Sequence, residues 1–156
     1  MRSHSIPTVI TRAFGYINPR RHDLVATSIA RQLVQCEQGR CKELHYGNTQ
    51  SVRTFCDARD IAEAYWIAAT RGEIGEAYNI GSIDEPLSVG DLILALYERS
   101  KVKIEFVQDL NRIRPIDIEM CVPDTTKFQT MSGGWVPKIP LAESLDWLMK
   151  EVRATA

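Results

Sequence analysis

Short β-branched runs alternate with helix-periodic runs along almost the whole chain, and this alternation constrains the fold most. Residues 7–14 are mainly apolar and β-branched, as in a buried strand. Residues 24–38 instead place apolar side chains at helical spacing, and Gly39 follows just past the end. Because strands and helices intermix in this way to the C-terminus, the sequence predicts an α/β or α+β class, and of these we expect a mixed α/β fold.

The remaining elements follow from the same patterns and from residues that start helices. Ser88 and Asp91 form an approximate capping box, and Asp60 offers an acceptor at the start of another helix. Thr27 and Ser28 offer acceptors for the first helix. We expect strands at 44–46, 52–55, 77–80 and 103–107, and helices at 61–70, 89–99, 125–131 and from 141 onward.

Composition bounds the class of protein. The chain has 156 residues, of which 44% are hydrophobic and 25% charged, values typical of one soluble globular domain. A net charge of -1 argues against nucleic-acid and anionic-membrane partners. No apolar run is long enough to span a bilayer, and the N-terminus lacks the apolar stretch of a signal peptide. We therefore predict a cytoplasmic protein.

The cysteines and histidines do not form a recognisable metal site. Four cysteines are scattered without a Cys-x-x-Cys pair, namely Cys36, Cys41, Cys56 and Cys121. In a cytosolic protein this arrangement predicts reduced thiols. The three histidines are too few and too dispersed to complete a centre, so no metal ligand is assigned.

Several common catalytic motifs are absent. The sequence has no Gly-x-Gly-x-x-Gly turn, Gly-x-Ser-x-Gly elbow, Walker loop or His-Glu-x-x-His pair. Tyr97 and Lys101 match the Tyr-x-x-x-Lys pattern of short-chain dehydrogenases, but they close a helix, where a lysine simply favours the C-terminus. We interpret that match as coincidence and assign no catalytic residue and no cofactor-binding residue.

Residues 51–60 concentrate two arginines and two aspartates where an extended stretch runs into a helix. Arg53 lies among residues that favour strands, and a guanidinium held there suits a diphosphate because its planar fork makes two parallel charge-assisted bonds. Alternatively, the four charged residues pair with one another at a surface turn, namely Arg53, Asp57, Arg59 and Asp60. The spacing fits both interpretations.

An ordered set of motifs carries a family resemblance. In chain order they are 7–19, Arg53-Thr-Phe-Cys-Asp-Ala-Arg-Asp60, 75–81, Arg114-Pro-Ile-Asp117, Asp124-Thr-Thr-Lys127 and 134–140. Together they resemble the C-terminal half of extended short-chain dehydrogenase/reductases, the NAD-dependent epimerase/dehydratase family. Within that family the set is most similar to GDP-mannose 4,6-dehydratases and GDP-4-keto-6-deoxymannose reductases. The resemblance implies that residues 1–156 form one partial domain, with the last Rossmann strands and helices plus a nucleotide-sugar-binding subdomain, and that the N-terminal dinucleotide-binding half is missing.

The resemblance also implies roles for individual residues. Arg53 and Arg114 correspond to the family's diphosphate arginines, and Asp117 to the acid that takes the ribose hydroxyls. This agrees with their chemistry, since two guanidiniums neutralise a diphosphate and a carboxylate accepts from paired hydroxyls. A local ion pair between Arg114 and Asp117 is the structural alternative. Around the base the resemblance implies packing or bonding by Val25, Thr27 and Arg31.

One departure from the family pattern falls near the expected sugar. Family members usually carry Phe-Asn-His where this chain has Phe14-Gly15-Tyr16, so Gly15 replaces an amide that could bond the hexose. Either the sugar or the reaction differs, or this copy has drifted from catalysis.

The resemblance therefore implies the nucleotide-sugar-binding portion of an NAD(P)-dependent dehydratase, epimerase or reductase, with a GDP-sugar of the GDP-mannose type as its partner. The complete family enzyme uses NADP, whereas this chain alone is expected to bind no cofactor and to show no turnover. Homo-oligomerisation is also expected, because the strand at 6–14 would expose an edge. The alternative is a non-catalytic nucleotide-diphosphate-binding or protein-interaction module derived from the family.

Overall fold

The protein is built from intermixed strands and helices, which confirms the predicted mixed α/β class. The computed structural model describes residues 6–156. Its strands are β1 Ile10–Ala13, β2 Tyr16–Ile17, β3 Glu43–Tyr46, β4 Val52–Arg53, β5 Cys56–Asp57, β6 Ala77–Ile80, β7 Leu87–Ser88, β8 Glu105–Gln108 and β9 Met120–Cys121. Its helices are α1 Val25–Glu37, α2 Ala58–Arg71, α3 Val89–Glu98, α4 Thr126–Ser132 and α5 Leu141–Thr155, with a single 3-10 turn at Leu110–Arg112.

The strands pair in small, mainly parallel groups. β1 pairs with β6, β2 with β5 and β3 with β8, all in parallel. β4 lies between β7, which is antiparallel to it, and β9, which is parallel. The β4–β9 register sets Arg53 opposite Cys121, and this pairing brings residues 114–119 beside β4. Residues 52–53 and residues 114–121, which are far apart in the sequence, therefore lie side by side.

Two hydrophobic clusters hold these groups together. In the larger one α1, α3 and α5 pack on each other, and Leu33, Leu96 and Leu148 are fully buried. In the smaller one α2 and α4 pack against β6, with the rings of Tyr78 and Phe128 edge to face at 6.1 Å. The helices α1, α3 and α5 each bury one apolar stripe, as their 3.6-residue periodicity requires.

The starts of two helices differ from the prediction. α2 is capped by Asp57, whose carboxylate accepts from the backbone N–H of Arg59 at 2.8 Å, and not by Asp60. Asp60 lies in the first turn, where it accepts from the N–H groups of Lys138 and Ile139 at 3.1 and 3.0 Å. Two aspartates three residues apart both fit a helix start, and their different tertiary contacts, Asp57 with Ser144 and Asp60 with residues 138–139, distinguish them.

The expected acceptors of α1 are also wrong. The helix begins at Val25 behind Leu24, and no side chain caps it. Thr27 is buried inside the first turn and donates its hydroxyl proton to the carbonyl of Asn18 at 2.8 Å. Thr27 therefore anchors the preceding loop to the helix.

The prediction of reduced thiols is wrong for one pair of cysteines. Cys36 and Cys41 form a disulfide, because Gly39 adopts a left-handed conformation (φ 73°) and turns the chain back after α1. Cys56 and Cys121 remain free thiols. Burial, followed by the charges of Asp60 and Asp57, raises the pKa of the Cys56 thiol to about 12, which makes it unreactive at neutral pH.

No helix within residues 6–156 is both long and apolar enough to cross a bilayer. Nor do those residues contain a group of three or more His, Cys, Asp or Glu side chains placed to hold a metal ion. The cytoplasmic location remains a prediction.

Candidate functional site

An open cavity of about 410 Å³ lies where the start of α1, the end of β3 and the 112–117 segment meet. Four of the six residues predicted to bind substrate line this cavity, namely Val25, Arg53, Arg114 and Asp117. The other lining residues are Asp23, Leu24, Ser28, Ile29, His45, Tyr46, Gly47, Asn48, Ser51, Val89, Ile93 and Arg112. Two arginines and a carboxylate from distant parts of the sequence thus share one concave surface.

Arg53 is held rigidly by the backbone around β9. Its guanidinium donates to the carbonyl of Val52 at 2.7 Å and to the carbonyl of Ile118 at 2.7 Å. The side chain is 22% exposed and lies 3.5 Å from a carboxylate oxygen of Asp117. Because these bonds restrict its rotamers, the guanidinium faces the cavity without further ordering.

Asp117 is ionised and strongly hydrogen-bonded. One carboxylate oxygen accepts from the Ser51 hydroxyl at 2.5 Å and from the Asn48 amide at 2.9 Å. These two bonds, Ser51 first, hold the pKa of Asp117 below its usual value. The ion pair of Asp117 is made with Arg53 and not with Arg114, so the local pairing across Pro115 is not formed. A ligand hydroxyl would have to replace one of these donors.

Arg114 and Arg112 enter the cavity from the irregular segment after β8. Within residues 6–156 no hydrogen bond or ion pair engages the exposed guanidinium of Arg114, so it is available to an anion. Arg112 was not predicted; its guanidinium bonds Asp109 at 3.2 Å and still lines the cavity. Gly47 allows this approach, because a Cβ there would lie 2.5 Å from the Arg112 carbonyl oxygen.

Of the three residues predicted to surround the base, only Val25 lines the cavity. Val25 begins α1 and is 37% exposed at the cavity wall. Thr27 is fully buried and does not line the cavity. Arg31 lies outside the lining, with its guanidinium 3.4 Å from the His22 ring nitrogen. For Thr27 and Arg31 the structure therefore shows no contact with the cavity.

A second cavity of about 510 Å³ adjoins the first and shares Leu24, Val25 and Arg53 with it. It is mainly aromatic and aliphatic, and its other lining residues are Arg12, Ala13, Phe14, Gly15, Tyr16, Phe55 and Cys121. A Cβ at Gly15 would lie 2.4 Å from the carbonyl oxygen of Thr54. The backbone around Gly15 therefore has no room for an asparagine side chain unless the chain shifts.

The charged residues of 53–60 divide between the two interpretations of the sequence. Asp57 and Arg59 pair at 2.9 Å, as the surface-turn alternative requires. Arg53 turns away from that pair and lines both cavities. The alternative therefore holds for Asp57 and Arg59 only.

The arrangement suits an anion with hydroxyls beside it. The first cavity is lined by three guanidiniums, those of Arg53, Arg112 and Arg114, and by two carboxylates, those of Asp23 and Asp117. The hydrogen bonds from Arg21 to Asp23 lower the pKa of Asp23 to about 2. A diphosphate fits such a surface by charge and geometry. The sequence contains no Gly-x-Gly-x-x-Gly turn, the motif that holds a dinucleotide pyrophosphate in Rossmann folds.

Comparison with known proteins places the chain in a family. Residues 1–147 match the family model described as GDP-mannose 4,6 dehydratase. The chain is 30% identical to GDP-6-deoxy-D-mannose reductase of Pseudomonas aeruginosa over 145 residues, which cover 92% of this chain and 47% of that protein. It is 31% identical to the low-salt glycan biosynthesis protein Agl12 of Haloferax volcanii, covering 92% of this chain and 44% of that protein.

The fold agrees with these matches. The structure of RMD from Pseudomonas aeruginosa complexed with NADPH superposes with a TM-score of 0.83 at 27% identity, covering 95% of this chain and 49% of that chain. The chain thus spans about half the length of the relatives it matches, as expected for a C-terminal part of an extended short-chain dehydrogenase/reductase. It belongs to the GDP-mannose 4,6 dehydratase family, within the NAD(P)-dependent sugar-nucleotide dehydratases, reductases and epimerases.

Proposed function

We propose that this chain is the nucleotide-sugar-binding portion of a GDP-mannose 4,6-dehydratase-like enzyme and that it binds a GDP-sugar of the GDP-mannose type. The supporting observation is the single cavity that Arg53, Arg114 and Asp117 share. Arg53 and Arg114 bind the diphosphate, and Asp117 accepts from the ribose in exchange for Ser51 or Asn48. Val25 packs on the base, and the sugar enters the adjoining cavity past Arg53.

We further propose that residues 1–156 form one partial domain: the last Rossmann strands and helices, plus the nucleotide-sugar-binding subdomain. NADP is the cofactor of the complete enzyme. The structure of RMD from Pseudomonas aeruginosa contains NADPH, and that protein is about twice as long as this chain. The chain itself supplies no turn for the cofactor pyrophosphate, so we expect this polypeptide alone to bind none.

Titration calorimetry with GDP, UDP and NADP tests the binding site. We expect GDP to bind, UDP to bind more weakly and NADP not to bind. Arg53→Ala and Arg114→Ala should each weaken GDP about tenfold or more, because each removes a charge-assisted contact to the diphosphate. Arg40→Ala is the matched control, since Arg40 is exposed and does not line the cavity. If Arg53→Ala and Arg114→Ala both bound GDP as tightly as the native chain and the Arg40→Ala control do, this assignment of the cavity would be wrong.

Turnover is a separate test. We expect no conversion of GDP-mannose by the purified chain supplied with NADP, because it lacks both the cofactor turn and the catalytic Tyr/Lys pair of the family. Tyr97 does not replace that pair: its ring packs edge to face on Phe106 at 5.1 Å. Product detected by chromatography, at a rate above a heat-inactivated control, would refute the proposed inactivity.

The alternative is a non-catalytic module that binds nucleotide diphosphates or a protein partner. The backbone at Gly15, which has no room for the family's amide side chain, favours it. Adding GDP-mannose to the calorimetry separates the alternatives, because equal affinity for GDP and GDP-mannose would indicate a diphosphate-binding module.

A further inference from the structure

The Cys36–Cys41 disulfide offers one sulfur to solvent. Cys36 lies in the last turn of α1 and is 3% exposed, whereas Cys41 precedes β3 and is half-buried. Cys41 lines a separate surface cavity of about 340 Å³ together with Gln32, Gln35, Lys42, Glu43 and His45. A small thiol can therefore reach the Cys41 sulfur, while Cys36 is protected.

The surroundings of this disulfide favour exchange. Only four residues separate the two cysteines, and the stabilisation from a disulfide grows with the loop it closes, so this bond stabilises the fold less than a disulfide that closes a long loop would. Arg40 and Lys42 flank Cys41 and are both exposed. Their positive charges attract an incoming thiolate, the nucleophile in thiol–disulfide exchange.

The disulfide joins the end of α1 to the residues just before β3, and both elements contribute lining residues to the 410 Å³ cavity. α1 contributes Val25 and Ser28, and β3 contributes His45 and Tyr46. Between the disulfide and the cavity, the Gln32 amide donates to the carbonyl of His45 at 3.1 Å and accepts from its N–H at 2.9 Å. The disulfide and the Gln32 bridge thus hold the end of α1 against β3.

We propose that Cys36–Cys41 is a reversible thiol–disulfide exchange site whose reduction loosens the α1–β3 wall and weakens nucleotide binding. The reductant is a dithiol. Its thiolate attacks the Cys41 sulfur, the Cys36–Cys41 bond breaks, and Cys36 leaves as a thiolate that takes up a proton. The second thiol of the reductant then resolves the mixed disulfide, so that Cys41 is released as a thiol, the protein gains two electrons and the dithiol becomes a cyclic disulfide.

The test compares the full chain in air-oxidised form and after reduction with dithiothreitol. Alkylation in denaturant followed by mass spectrometry should count two thiols in the oxidised chain, Cys56 and Cys121, and four in the reduced chain. Hydrogen exchange of the β3 amides should quicken on reduction. GDP should bind the reduced chain about threefold more weakly or worse, as measured by calorimetry.

The double variant Cys36→Ser/Cys41→Ser serves as the control. It should match the reduced chain in hydrogen exchange of the β3 amides and in affinity for GDP, and dithiothreitol should change neither. Four thiols in the oxidised chain would overturn the exchange site, and β3 hydrogen exchange that does not change on reduction would overturn the loosening of the α1–β3 wall. Faster exchange with unchanged GDP affinity would overturn its link to binding. That link rests on the proposed function: if GDP binds neither form, the proposed function fails, while the thiol count still decides the exchange site and hydrogen exchange still decides the loosening of the wall.

Discussion

At the scale of single residues, Asp57 shows how one buried carboxylate joins two helices. Its carboxylate caps α2 through the Arg59 N–H, pairs with the Arg59 guanidinium at 2.9 Å and accepts from the Ser144 hydroxyl of α5 at 2.7 Å. Burial by itself raises the pKa of Asp57, but the bonds from Arg59 and Ser144 outweigh it, so the pKa lies below its usual value. The folded chain therefore binds this proton less readily than the unfolded chain does.

Because the pKa of Asp57 is lower in the folded chain, the folded state should lose stability in acid. The Asp57 contribution is fully present above the unfolded pKa, about 4, and is lost as the pH falls through the lower folded value. We expect Asp57→Asn to reduce the free energy of unfolding by about 2–3 kcal/mol at pH 7, because it weakens a buried, charge-assisted network. Urea titrations from pH 7 to pH 3 should show that the difference in free energy of unfolding between the variant and the native chain becomes smaller in acid.

The matched control is Asp146→Asn, which alters a carboxylate that is 67% exposed and pairs with Arg99 at the surface. Its effect should stay within about 0.5 kcal/mol, as for most exposed ion pairs. Equal effects of the two variants, or a gap at Asp57 that is independent of pH, would contradict the role given to Asp57.

At the scale of elements, α3 begins with a complete capping box, as predicted from the sequence. The Ser88 hydroxyl accepts from the Asp91 N–H at 3.0 Å, and the Asp91 carboxylate accepts from the Ser88 N–H at 3.2 Å. We expect Ser88→Ala to lower the free energy of unfolding by about 1 kcal/mol. Ser100→Ala, which removes a hydroxyl just past the end of the same helix, is the matched control for thermal unfolding. A larger loss at Ser100 would contradict the importance of the cap.

Local patterns predicted the elements better than their ends. The strand expected at 77–80 is found at Ala77–Ile80, because its β-branched and aromatic residues are bounded by glycines. The box at Ser88 was found because both of its members are local. The start of α2 was misplaced, because the choice between Asp57 and Asp60 depends on Ser144 and on residues 138–139, which are distant in sequence. The Cys36–Cys41 disulfide was missed because it depends on the left-handed turn at Gly39.

At the scale of the whole molecule, the cavity depends on strand pairing that no local pattern contains. The predicted meeting of Arg53 and Arg114 in one cavity rested on family resemblance, and the parallel β4–β9 pairing supplies its physical cause. Arg112 escaped prediction because it reaches the cavity only through the 3-10 turn packed against Gly47. Residue types near the site could thus be predicted, whereas the complete set of lining residues required the tertiary structure.

The pairing of β1 leads to a prediction about assembly. The N–H groups of Ile10 and Phe14 donate toward β6, so the N–H of Thr11 points to the other edge, where no strand pairs with β1 among residues 6–156. A groove of about 320 Å³ is formed by β1, the residues before it and α2, and it is lined by Pro7, Val9, Thr11, Tyr65, Ala68 and Ala69. An unpaired parallel edge beside an apolar groove is a site for strand addition, so we expect concentration-dependent self-association.

Thr11→Lys should suppress that association, because a lysine at an open edge opposes the approach of a second strand. Thr155→Lys places the same charge at the end of α5, far from the edge in the chain, and is the matched control. Sedimentation velocity between about 5 and 200 μM, a range in which weak protein contacts are populated, should show mass increasing with concentration for the native chain and the control only. If the native chain stays monomeric throughout, its β1 edge does not drive assembly; if Thr11→Lys associates as strongly as the control, the contact lies elsewhere.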